Sequence, residues 1–168
     1  LTAGKKSDSN LYVTNGKLVF DIKTENVWSY LVYDMFTYKD VRMEVVADNV
    51  GTNENSVSLF CRYSEKGWFE FNIANDGTFS ILAYTKASKY YDRLYDGGST
   101  AIHTGQATNT YTAICKGNTL SLLINDVEVR TITQSQYSYD EGKIGISVSS
   151  FNVLPVNVQF ESVTISQP

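Results

Sequence analysis

The chain has 168 residues and a formal net charge of −4 at pH 7, a length that suits one domain. Its 42% hydrophobic and 19% charged residues exclude wholesale disorder. No basic run offers a footprint for nucleic acid or an anionic membrane surface, and no apolar run approaches the ~20 residues of a membrane-inserted helix. With 17 Ser, 16 Thr, 13 Asn and 12 Tyr against only 2 Pro, the composition favours short strands joined by polar turns.

Residues 1–10 read as a polar lead-in and residues 11–168 as one domain. Leu1 follows no signal-type apolar stretch, so the chain reads as a mature or trimmed fragment. Leu11–Thr14, Asn15-Gly16 and Lys17–Lys23 form a hairpin signal, because Asn-Gly supplies the positive φ angles of a two-residue turn. Val41, Met43, Val45 and Ala47 alternate with polar residues, as a half-buried strand requires. After a polar loop over 51–55, Val57, Leu59, Cys61 and Tyr63 make an apolar face, with Ser58 and Arg62 opposed to it. Phe69, Phe71 and Ile73 follow, with Trp68, Glu70 and Asn72 on the other side. Asp76-Gly77 then turns into Phe79, Ile81 and Ala83, opposed by Ser80, Leu82 and Tyr84.

From Thr85 to Asn109 the alternation weakens into an irregular or edge segment containing Tyr90, Tyr91 and Tyr95. Regular strands resume over 110–116, 120–124, 127–133, 142–149 and 156–165. Ten or more short strands with close turns predict a two-sheet antiparallel sandwich. The two cysteines, Cys61 and Cys115, lack any CxxC spacing. Both fall in β-patterned segments, which favours a disulfide between strands over two buried thiols. His103 has no Cys or Ser partner in pattern and reads as a loop histidine. Asp92, Asp96 and Asp126 show no calcium-loop signature, which leaves turn capping as their role.

The ordered set Phe60-Cys61-Arg62-Tyr63, Trp68 to Ile73 and Asp76-Gly77 resembles the core of bacterial laminin-G-like domains. These belong to the concanavalin A-like lectin/glucanase superfamily, which includes a keto-disaccharide hydrolase-like branch. Ala113 to Leu120 with Ile124-Asn125-Asp126, then Gly142 to Ile146, then Val158 to Val163 continue the likeness in order over roughly residues 40–165. The resemblance implies an all-β jelly roll and an extracellular or cell-surface bacterial protein. Glu161 and Ser162 replace the Asp and Asn usual in such relatives, which disfavours a structural calcium, and no other cofactor is expected. Asn72 stands where relatives often carry a carboxylate. The Glu-x-Asp-x-x-Glu run of the superfamily's glucanases is absent.

Two chemistries remain to be weighed. A glycoside hydrolase needs two carboxyl groups about 5–9.5 Å apart, one held protonated. Glu44 and Glu70 are the candidates, on a face shared with Arg42 and Arg62, whose charges favour ion pairing over a protonated acid. Sugar binding needs aromatic platforms ringed by planar polar groups, and Arg62, Trp68, Glu70, Asn72, Tyr84, Tyr90 and Tyr91 make that set. The expectation is therefore a non-catalytic extracellular module, part of a larger protein, that binds a carbohydrate or another extracellular ligand. A glycoside- or disaccharide-acting hydrolase and a structural or protein-interaction domain are the alternatives.

Overall fold

A computed structural model describes Thr2, Ala3 and residues 9–168. The strands are β1 (Thr2–Ala3), β2 (Ser9–Thr14), β3 (Lys17–Ile22), β4 (Trp28–Tyr38), β5 (Val41–Asn49), β6 (Asn55–Tyr63) and β7 (Gly67–Ala74). They continue as β8 (Thr78–Thr85), β9 (Tyr90–Gly98), β10 (Thr108–Lys116), β11 (Thr119–Ile124), β12 (Val127–Thr133), β13 (Gly142–Ser150) and β14 (Val156–Ser166). They form two antiparallel sheets of seven strands, in the orders β1-β4-β13-β6-β7-β8-β9 and β12-β11-β10-β5-β14-β3-β2. The predicted all-β sandwich is the observed fold, and no described residue is helical.

Alternation built the core. Val41, Met43 and Val45 of β5 meet Leu59, Phe69, Phe71, Ile73 and Ile81 of the facing sheet, all buried. Burial of each such side chain contributes about 1.5–3 kcal/mol relative to exposure. Cys61 on β6 is bonded to Cys115 on β10, so one disulfide staples the two sheets together. Asn15 and Gly16 adopt φ of 50° and 75°, the paired positive values of the expected hairpin turn between β2 and β3.

Three boundaries differ from expectation. Ser9 and Asn10, inside the expected lead-in, already pair with Ile22 and Asp21, and Thr2 and Ala3 pair with Ser29 and Trp28. The remaining residues of that stretch lie outside those described. Strand β4 carries apolar side chains on both faces, so alternation gave no sign of it. The segment over 85–109 holds a full edge strand, β9, which pairs with β8 through a bulge opposite Ile81 and Leu82. The rest of it is a turn over 86–89 and a loop over 99–107.

Candidate functional site

The register lays out the outer face of the first sheet in rows that cross its strands. One row is Tyr30, Ser147, Ser58, Asn72, Ser80 and Asp96, on β4, β13, β6, β7, β8 and β9 in that order. The next, one step along the strands, runs from Gly145 through Phe60, Glu70 and Leu82 to Arg93. The last holds Trp68, Tyr84 and Tyr91. Period 2 sends all of these away from the core.

This face is curled inward. Tyr30 and Tyr91 stand five strand intervals apart, about 24 Å in a flat sheet, yet their hydroxyls are 3.0 Å apart. Aromatic rings fill the concavity. Trp68 packs on Tyr84 at 4.1 Å and Tyr63 at 5.2 Å between centroids, Tyr84 on Tyr91 at 4.6 Å, and Tyr30 on Phe60 at 5.9 Å. A methyl at Gly145 would collide with the Phe60 ring and the Leu31 carbonyl, so the glycine lets Phe60 lie flat across β13.

Glu70 sits beneath this layer at 3% exposure. Its carboxyl accepts hydrogen bonds from the Trp68 indole and the Tyr91 hydroxyl, both at 2.9 Å, and from Ser58. Burial nevertheless raises its pKa above the usual glutamate value, against the lowering effect of those three donors. Burial also raises the phenols of Tyr30 and Tyr91, with Glu70 adding to both, so neither ionises near neutral pH. Asn72 donates to Ser56 and Ser58, each at 2.9 Å, and Ser80 donates to Asp96 at 2.5 Å. Asp96 also pairs with Arg93 at 3.2 Å.

Of the seven residues expected to make up the ligand site, Trp68, Glu70, Asn72 and Tyr84 share the face, and Tyr91, expected in a rimming loop, joins them from strand β9. Arg62 does not. It adopts a φ of 56° at a bulge where the β6–β13 register slips, which reverses the facing of the strand end. Its guanidinium, 3% exposed as a residue, donates to the carbonyls of Lys39, Tyr139 and Gly117 at 3.1, 3.0 and 2.8 Å. The same reversal brings Tyr63, expected in the core set, onto the outer face beside Trp68. Tyr90 also departs, since it neighbours Tyr91 in an alternating strand and takes the opposite side with Thr85.

Glu44 and Glu70 do not share a face either. They lie in different sheets, and Glu44 pairs with Arg42 on its own strand at 2.7 Å. The residues missed from sequence are Tyr30, Phe60 and Tyr63. Among the described residues no group of three or more His, Cys, Asp or Glu is placed to hold a metal, and Glu161 pairs with Lys17 at 2.6 Å. No helix among them is long and apolar enough to cross a membrane.

Residues 2–166 match the family described as the 3-keto-alpha-glucoside-1,2-lyase-like domain. The chain belongs to that family. No curated protein sequence matches the chain. Among solved structures it is similar to the carbohydrate binding module CBM66 from Bacillus subtilis, with a TM-score of 0.73 and 13% identity over 95% of this chain and 92% of that one. It is also similar to the Bacillus licheniformis beta-glucanase, with a TM-score of 0.65 and 15% identity over 97% and 84%. A Bacillus subtilis protein of unknown function with a galectin-like fold gives a TM-score of 0.72 and 9% identity over 95% and 87%. At these identities the likeness is one of fold.

Proposed function

We propose that this domain binds carbohydrate on the concave outer face of its first sheet, without catalysis, as part of a protein exported to an oxidising compartment. The observation that carries the reading is the Trp68–Tyr84–Tyr91 ring cluster on the same face as Asn72, Ser80 and Asp96, two rows further along the strands. Ring faces suit the apolar C–H surface of a sugar, and the amide, hydroxyl and carboxylate groups suit its hydroxyls. The carbohydrate-binding neighbour of the same fold supports it. The inter-sheet disulfide supports export. The non-catalytic part rests on Glu70, whose carboxyl is enclosed by three donors and has no second carboxyl in its row.

A glycan array tests the reading. Binding of at least one neutral glycan that is lost in Trp68→Ala is expected, provided the variant keeps its β-sheet circular dichroism. Failure of the folded wild type to bind any glycan overturns it.

The family's name favours a second reading, an enzyme acting on keto-glucosides. Glu70, with its raised pKa, is then the acid. Turnover of a 3-keto-glucoside that disappears in Glu70→Gln replaces binding with catalysis.

A further inference from the structure

Resting on the carbohydrate reading, we propose that the ligand is a neutral oligosaccharide of several units, with Trp28 as a second stacking platform at the far end of the same face. Trp28 lies two residues before Tyr30 on β4, and alternation gives both the outer side. It opens a row of its own that continues through Ser149 and Ser56 to Ala74. Unlike Trp68, which is packed against five rings, Trp28 has no ring or side-chain hydrogen-bond partner among the described residues, and it is 37% exposed. An uncommitted, exposed tryptophan on a polar face marks a contact surface.

A second observation points the same way. The Ser149 hydroxyl, beside Trp28 in the row, is buried at 1% exposure and has no hydrogen-bond partner among the described residues. Such a group costs free energy unless something completes it.

The spacing selects the ligand class. Six residues along β7 separate the Trp28 row, at Ala74, from the Trp68 row, about 20 Å at ~3.3 Å per residue. Trp28 on β4 is also three strands from Trp68 on β7, so one ring cannot touch both platforms, whereas a chain running obliquely across the strands can, passing Asn72 on the way. Charge selects against uronic or sulfated chains. Glu70 is enclosed, Arg93 and Asp96 neutralise each other, and these rows hold no other Asp, Glu, Lys, Arg or His.

The test uses neutral gluco-, fructo- and galacto-oligosaccharides of one to six units, with affinities read by calorimetry for wild type and Trp28→Ala. Wild-type affinity is expected to rise at least about tenfold from two units to the longest chain, as one further stacking contact implies. Trp28→Ala is expected to bind short chains like wild type and to lose that gain. Equal affinity for short and long chains, or an unaltered gain in Trp28→Ala, overturns the second platform while leaving the carbohydrate reading intact. No binding of any sugar overturns both. Trp28→Phe should restore part of the gain, which separates stacking from any effect on the fold.

Discussion

The Tyr30 and Tyr91 hydroxyls meet at 3.0 Å across five strand intervals of the first sheet, and Tyr91 donates a hydrogen bond to Glu70 at 2.9 Å. This clasp joins the second strand of the sheet to its last one and fixes the curvature that encloses Glu70. Tyr91→Phe removes one of the carboxyl's donors and should destabilise the fold by about 1–3 kcal/mol. Tyr30→Phe leaves Glu70 with its three donors and should cost only about 0.5–1.5 kcal/mol. Urea unfolding of both single variants and the double variant checks this, with a non-additive double expected because the two hydroxyls are in contact.

Glu70 makes stability depend on pH. Its folded pKa lies above the unfolded value, so between the two values the folded state holds a proton that the unfolded state has lost. Stability from this group is therefore complete below the ordinary glutamate pKa and declines as pH rises through the folded value. Melting temperature measured against pH should fall over that window in wild type and stay flatter in Glu70→Gln. A wild-type curve that rises there contradicts the assignment.

Arg62 is a structural pin. Arg62→Met strands the carbonyls of Lys39, Tyr139 and Gly117 and removes the ring contact with Phe69. A loss of about 2–4 kcal/mol is expected in chemical denaturation. The glycan affinity of the folded variant should be unchanged, because the guanidinium does not reach the face.

The Cys61–Cys115 bond closes a separation of 54 residues. Its removal in Cys61→Ala/Cys115→Ala should cost about 2–5 kcal/mol. Native protein should yield no free thiol to a thiol reagent before reduction and two after it.

Much of this was legible in the residues. Strict alternation placed Phe69, Phe71 and Ile73 inside and Trp68, Glu70 and Asn72 outside, because a strand has one period and the core selects its apolar phase. The pattern failed at Arg62 because a positive φ resets the phase without leaving a mark in composition. It failed at β4 because Tyr30 and Leu31 are both large and apolar yet face opposite ways. Around Tyr90 no alternation showed, so nothing told that β9 is a strand on which two adjacent tyrosines must take opposite sides. The enclosure of Glu70 was out of reach for a different reason. It depends on the curvature of seven strands, a non-local property that no single segment encodes.

The chain has two tryptophans, Trp28 and Trp68, and both lie on the candidate face, so tryptophan fluorescence, excited selectively over tyrosine, reports on that face alone. Titration with a glycan shown to bind by calorimetry should shift the emission with the same midpoint as the heat signal. A glycan that binds by calorimetry and leaves the emission unchanged would place the site elsewhere and contradict the account.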